Sequence, residues 1–483
     1  MRQSFLLLLT TFCCYLSCIC QARTVNPLQY GLREAQNDIE RYEVLLRCHR
    51  DAVLNGYSIS YKGIDSIRIE LPRNYSSIPL TNNVDFSGVT IKVENKQKDG
   101  FLFDMKAEVS DITLTCKEID TGLFDNHEEL HTGKFMLIIE DEELWCIRKS
   151  GTPLIRKDII LIKDGKAMNM PSMVYSSSRS KPIAKYRKID NKKKCIKDLI
   201  FIRTSSSTRK TYCFEIENQY KIVVSNISIT TPQTTDLYGD AAIYLDNCAE
   251  VTLNDIRING TYSKTDKFGY GVGMVNIYRL TIKKMYARCN WGVFGSQSIN
   301  SVVLKDCDIN RFDIHCYGRD VKAVRCKFSN LYNQFSSVFG TISFEKCEFT
   351  NFIPFLIESS YNAYTPFDVK WKDCTFNLDD KHNYIMTLFG VPEQYNERPE
   401  LRRKCLPNIS ITNCKVKLAD NMNKWYLIHT GGVKYKDTFD YISEITLKGV
   451  KVYNSKGKDF ELSTEKLKYS NSVNTEIKLK CVK

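Results

Sequence analysis

The chain has 483 residues, 43% of them hydrophobic, with 69 Lys and Arg against 56 Asp and Glu for a formal net charge of +13. A basic balance biases a protein toward polyanions such as acidic polysaccharide, anionic surface glycans or nucleic acid, or simply gives it a soluble basic surface. The sequence carries no nucleic-acid module, no glycine-rich phosphate loop and no metal-type Cys/His spacing, and nowhere reaches about 18 consecutive apolar residues, so no membrane span is expected.

Residues 1–22 hold one positive charge at Arg2, an apolar run over 5–15 and a small-residue exit at Cys20-Gln21-Ala22. This is the pattern of a secretory signal peptide cut after Ala22. Lipid attachment at Cys18 fits less well, because Tyr15 stands three residues before it. The mature protein is expected outside the cytoplasm, in a periplasm, on a cell surface or extracellular. Loss of Arg2 lowers the net charge of +13 by one. Four of the 19 cysteines, Cys13, Cys14, Cys18 and Cys20, leave with the signal. An odd number remains, which cannot all pair internally. Five of those occupy one repeated inward slot and read as a buried ladder of thiols acting as small hydrophobes. Disulfides between neighbouring coils stay open, because a strand spacing of about 4.8 Å falls within the permitted Cα separation.

Residues 23–83 read as an N-terminal cap. Leu32, Ala35, Ile39, Tyr42, Leu46 and Val53 recur at helical spacing and predict an amphipathic helix over 32–53. Alternating residues 67–71, Pro72, Tyr75 and 78–80 then predict strand, turn and strand.

From residue 84 onward one phrase returns: two short period-2 strands joined by a bend. Its inward anchors are Val89, Ile112 and, after a gap, Leu199, Ile227, Ile256, Met285, Cys307, Cys326, Cys347, Cys374, Cys414 and Val450. Their spacing has a floor near 20 residues with variable additions, as expected of a solenoid whose coil core is fixed and whose loops vary. The residue before the anchor is Gly88, Asp111, Asn226, Asp255, Asp306, Asp373, Asn413 or Gly449 in most repeats. These types tolerate the left-handed bend that a tight corner demands.

With this phrase in ten or more coils, most of 84–452 resembles the right-handed parallel β-helix proteins of the pectin lyase-like superfamily. The resemblance implies an all-β solenoid over 84–483. It leaves function broad, since that superfamily includes polysaccharide lyases, polygalacturonase-type hydrolases, epimerases, esterases, phage tailspikes and adhesins. The helix and the strands after it are similar to the opening cap of such secreted proteins. The repeat is interrupted over about 116–195 by a β insertion with strand-like runs at 135–139, 154–155 and 159–162 and a hairpin turn at Asp164-Gly165. Residues 179–197 hold nine basic residues and one acid, Asp190, and read either as a solvated loop or as a rim recruiting an anionic chain.

The resemblance also implies that the strand before each bend lines the ligand groove. Several of these strands end in glycine, at Gly295, Gly318, Gly340, Gly390 and Gly431. Aligned on them, Phe294, Tyr317, Phe339 and Phe389 share one column, and His315, Ser337 and Thr387 another. Period 2 sends Ile314 and Cys316 inward and leaves Asp313, His315 and Tyr317 outward. One coil then offers a general base (His315), a carboxylate to orient it (Asp313), a phenol (Tyr317), a cation (Arg319) and Asp320 in the next turn. β-Elimination from a uronic acid needs groups of these kinds: a cation for the sugar carboxylate, a base for the C5 proton, and an acid for the leaving oxygen. The competing reading is a hydrogen-bonded polar corner closing a turn.

Residues 235–243 are similar to the Asn-Thr-Asp-Gly-Ile segment of polygalacturonases, which marks Asp240 or Asp236 as the matching acid. The paired aspartates that family carries on the next coil have no counterpart at 269–273, and its Gly-His-Gly is missing. Asp240 and Asp313 lie about three coils apart, roughly 14 Å, beyond the usual separation of paired glycosidase carboxylates. A hydrolase would need another partner such as Asp266. Tyr270, Trp291, Tyr317 and Phe339 read as an aromatic floor for sugar stacking, or as packing under a loop. Arg311 and Glu358 complete the candidate binding residues. No cofactor is expected, although scattered aspartates leave calcium open, and the oligomeric state is not legible. The function expected is binding and cleavage of a complex, acidic polysaccharide by lyase or hydrolase chemistry. The rival is a non-catalytic surface, adhesion or glycan-binding protein.

Overall fold

The computed structural model describes residues 23–147, 153–172, 175, 181–231, 241–259, 270–287, 292–330, 333–335, 338–351, 354–357, 367–379, 384–388, 407–422, 425–430, 444–457, 459 and 478–482. Its repeat is set by its corners. Positive φ occurs at Gly88, Asp198, Asn226, Asp255, Lys284, Asp306, Arg325, Lys346, Asp373, Asn413 and Gly449, each directly before an anchor. Most of these are Gly, Asn or Asp, which enter the left-handed region at least cost. The anchors from Val89 to Cys414, Ile112 apart, are buried.

Three parallel ladders follow from these corners. Before the corner, Leu253, Ile282, Leu304, Ala323, Phe344, Trp371 and Ile411 stack in register as a middle sheet. After it, Ala287, Ile309, Phe328, Phe349, Phe376 and Val416 do the same in a third. A floor sheet stacks Met105, Ile216, Leu245, Met274, Ser296 and Ile314. In four successive coils it turns into the middle sheet through two more left-handed corners, Asn218 and Lys221, Asn247 and Glu250, Asn276 and Arg279, then Ser298 and Ser301, and in the next two through one, Asp320 and Gly340. Parallel strands joined by crossovers connect right-handedly, and the fold is a right-handed parallel β-helix. The inward side chains form one continuous core along its axis, each fully buried one contributing about 1.5–3 kcal/mol.

Cys307, Cys326, Cys347, Cys374 and Cys414 are buried in successive coils, and all are free thiols. Each Sγ donates to the carbonyl two residues earlier, at 3.4 Å for Cys326 and 3.3 Å for Cys374. In these five coils the slot holds a small apolar side chain whose weak donor is aimed back at the corner, while Val89, Leu199, Ile227, Ile256 and Met285 fill it in earlier coils.

The cap helix spans Asp38–Asn55, with Asn37 accepting from the Glu40 amide and Gly56 closing the end in the left-handed conformation. Its buried stripe is Tyr42, Leu45, Cys48, His49 and Ala52. The helix expected over 32–53 begins only at Asp38, and although Leu32 is buried ahead of it, Ile39 and Val53 fall off the buried stripe at 38% and 44% exposed. Cys48 and His49 belong inside, and a tally of apolar residues passes over the histidine. It is tolerated there because its ring bonds the Pro79 carbonyl and the Tyr61 hydroxyl at 2.9 and 2.8 Å.

The insertion is a separate antiparallel sheet in the order Lys166–Ala167, Pro153–Lys163, Lys134–Ile147, Pro182–Ile189, Ser110–Ile112. Asp164 and Gly165, both at positive φ, make the expected hairpin turn. Ile112 is no coil anchor, since Ser110–Ile112 pairs antiparallel with Pro182–Ile189 at the sheet edge. One face of this sheet has its own core around Leu137, Ile160 and Phe124. The other, through Met136, Ile138, Ile159 and Leu161, packs on Tyr220, Ala249 and Tyr278 of the coils. No helix among the described residues is long and apolar enough to cross a membrane.

Candidate functional site

On the outer face of the floor sheet the ladder slips by one residue. Ser296 pairs with Ile314 but Gln297 pairs with Cys316, leaving His315 as the extra residue of a β-bulge. Bulges re-aim side chains, and here His315 is turned toward Asp313. Tyr270 reaches the same point from two coils earlier. Its ring lies across Gly295, where a Cβ would stand 2.6 Å from the ring, and Tyr244 lies across Gly273 in the same way. Glycine weakens a strand interior, and in these outward slots it buys the close approach of a tyrosine.

Four polar side chains therefore converge. The Tyr270 hydroxyl donates to Asp313 Oδ2 at 2.8 Å and lies 2.7 Å from His315 Nε2. His315 Nε2 is 3.0 Å from the same carboxylate oxygen. Arg311 Nη2 donates to that oxygen and, at 2.9 Å, to Gln334 Oε1. Asn333 fixes the local backbone, accepting from the Phe312 amide and donating to the Pro354 carbonyl. The side chains of Arg311 and Asp313 are fully buried, and His315 is 13% exposed. Burial pulls the Asp313 carboxyl up, but the Arg311 charge, the His315 charge and hydrogen bond, and the Tyr270 hydroxyl outweigh it and hold the group below the usual carboxylate range. It is an ionised carboxylate locked under a tyrosine and a histidine.

The expected site is thus partly corrected. Asp313 leaves the core side of its strand as period 2 requires, yet it is covered, because Tyr270, Arg311 and Gln334 close over it. Phe294 is core, in register with Val272, rather than an outward aromatic. Alignment on glycines fails because Gly295 pairs with Gly273 while Gly318 pairs with Ile299. Arg319 turns away from His315. Its Nη1 donates to the Ser172 carbonyl of the insertion at 3.3 Å, and its Nε is 3.7 Å from Asp320. Asp320 accepts from the Thr341 amide at 3.0 Å and sits against Gly340, so it closes a corner, as the competing reading supposed. Phe339 is in register with Arg319, on the flank that carries the insertion and not on the floor with Tyr270.

Asp236, Asp240, Asp266, Trp291 and Glu358 lie outside the described residues, as do the side chains of Cys316 and Tyr317. Within the basic segment, Arg187 and Lys194 are turned into the junction of insertion and coils, donating to the carbonyls of Asn218 and Tyr220. Among the described residues no group of three or more His, Cys, Asp or Glu is placed to hold a metal ion. Reading the sequence alone assigns Tyr270 to stacking and misses its hydroxyl. The signal was Tyr270-Gly271-Val272-Gly273 followed by Gly292 and Gly295, glycines in outward strand slots.

No protein-family model and no curated protein matches the chain. Among solved structures it is similar to the tailspike gp61 of Pseudomonas phage phi297, at 11% identity and a TM-score of 0.48, covering 89% of this chain and 80% of that one. The Gp54 tailspike of Acinetobacter baumannii bacteriophage AP22, solved in complex with A. baumannii capsular saccharide, gives 12% identity and a TM-score of 0.44 over 94% of this chain and 79% of that one. The tailspike gp49 of Pseudomonas phage LKA1 gives 11% and 0.43 over 94% and 81%.

Proposed function

We propose that this is a secreted, carbohydrate-active β-helix protein that binds a complex polysaccharide along the floor sheet and cleaves it with acid–base chemistry centred on His315 and Tyr270. The observation carrying this reading is the meeting of phenol, imidazole and carboxylate within 2.7–3.0 Å on an outer face. An imidazole backed by a buried ionised carboxylate is held in one orientation and is stabilised when it takes up a proton. His315 is the acid–base group, Asp313 the residue that positions it, and Arg311 the fixed counter-charge. The Tyr270 hydroxyl, bridging Asp313 and His315 Nε2, passes a proton between the imidazole and a sugar oxygen or carbon. The same pair serves hydrolysis or, on a uronic acid, elimination. The net charge of +13 favours a glycan with acidic units.

The test is incubation of the purified protein with acidic glycans, following absorbance of unsaturated ends alongside release of reducing ends. His315→Ala is expected to cut turnover by about 10²- to 10⁴-fold and Tyr270→Phe by a comparable factor, with the fold retained. Release at the parental rate by His315→Ala would refute the assignment. Tight binding with neither product would leave a glycan-binding protein, a reading favoured by the full burial of Asp313.

A further inference from the structure

The outer face of the floor sheet continues from Tyr270 toward the cap. Phe101 and Tyr212 are in register, half-buried and 5.0 Å apart between ring centroids, and Phe101 is 6.1 Å from Tyr244. With Tyr244 on Gly273 and Tyr270 on Gly295, a row of rings leads to His315. At about 4.8 Å per coil the row from Phe101 to His315 extends roughly 24 Å, room for several pyranose units.

Carboxyl groups run beside the rings. Asp104, Glu215 and Tyr244 form one register column, and Lys106, Glu217 and Asp246 the next. The insertion adds Glu140 and Lys157, both close enough to act on the Asp246 carboxyl. Burial pushes Asp246 up to about 6, with Lys157 opposing and Glu217 and Glu140 adding. One of its oxygens is buried with no hydrogen-bond partner among the described residues. Burial also raises Asp104, Lys106 opposing and Glu215 and Glu217 adding. The two lysines are already engaged, Lys106 with Glu215 and Glu217 at 2.8 and 3.3 Å and Lys157 with Glu140 at 2.6 Å. In a chain of net charge +13 this is a locally acidic strip.

We propose that the row from Phe101 to Tyr244 is a binding tract for amine-bearing sugar units, whose ring faces stack on the aromatics while their protonated amines meet the carboxylates. The inference rests on the reading of the floor sheet as the glycan-binding face and narrows it. Uronic units are repelled from the tract, so a glycan that carries both places its acidic residues beyond Tyr270, toward His315.

The experiment titrates the full-length His315→Ala protein calorimetrically with three hexasaccharides: β-1,4-linked glucosamine, β-1,4-linked glucose and α-1,4-linked galacturonate. The glucosamine hexamer is expected to bind tightest and the galacturonate hexamer weakest. Tyr212→Ala should weaken the glucosamine hexamer about tenfold, the order of one lost aromatic contact, and Glu217→Gln should narrow its margin over the glucose hexamer. Galacturonate binding as tightly as glucosamine, no binding of any hexamer, or unchanged affinities in both Tyr212→Ala and Tyr244→Ala would overturn the inference. Polysaccharide turnover by the parent that is abolished by His315→Ala, with tract variants binding like the parent, removes the tract and keeps the catalytic reading. An amine preference in a parent protein that cleaves nothing does the reverse.

Discussion

Replacing Gly295 by alanine tests the site without touching any of its polar groups. The new Cβ would stand 2.6 Å from the Tyr270 ring, and ordinary contact begins near 3.4 Å, so the ring must retreat by about 0.8 Å. Its hydroxyl bonds of 2.8 and 2.7 Å would stretch to roughly 3.5 Å, beyond useful hydrogen-bond length. Asp313 would then lose one donor to a buried charge, about 1.5–3 kcal/mol of stability. In the proposed acid–base role of Tyr270, a misplacement of this size costs on the order of 10- to 100-fold in turnover. The assay pairs a denaturation midpoint with turnover for Gly295→Ala, Tyr270→Phe and the double variant. If alanine acts through the tyrosine hydroxyl, the double variant loses little more than the worse single one. Parental turnover and stability in Gly295→Ala, or fully additive losses, would refute the argument.

Cys326→Ala is expected to destabilise by about 1–2 kcal/mol through lost volume in a filled column. Cys326→Ser should cost less, about 1 kcal/mol, because the Val324 carbonyl that takes the thiol can take a hydroxyl; equal midpoints for parent and alanine variant in urea would contradict burial. At the cap, burial lowers His49 to about 4, only partly offset by its bond to Pro79. The unfolded chain takes up a proton near 6.5 that the folded one refuses, so stability is unaffected above that pH and falls as pH drops toward 4, by about 3 kcal/mol. His49→Asn should flatten the pH dependence of stability over that window whatever its cost at pH 7, and parallel curves would exclude the effect.

The coil architecture was legible because its determinants are local. A left-handed corner favours Gly, Asn or Asp, although Lys284, Arg325 and Lys346 also adopt it, and an inward anchor follows at once, so Asp306-Cys307 or Asn413-Cys414 announces a coil from two residues. Asp111-Ile112 imitates that signal and fails, since pairing with Pro182–Ile189 decides its place. The floor sheet was harder. A single-residue bulge leaves the alternation through Asp313, Ile314 and His315 intact and so leaves no trace in the pattern, while it shifts every register-based column beyond it. What covers Asp313 comes from Tyr270, 43 residues away in the chain, through a gap that two glycines open. Arg319 faces the insertion for the same kind of reason: its partner, Ser172, belongs to a segment whose docking no local pattern encodes.

That docking has a mechanical side. Each coil of a solenoid is bonded only to its neighbours, so tension along the axis removes coils one at a time, each releasing its length of extended chain. The inserted sheet lies across several of them. Arg187 donates to the Asn218 carbonyl, Asn276 to the Asp158 carbonyl, and Asn300 and Arg319 to Ser172. It acts as a splint: under load the coils from Asn218 to Arg319 must give way together, and with them the span of floor that carries Tyr244, Tyr270 and His315, while the coils beyond remain free to peel singly.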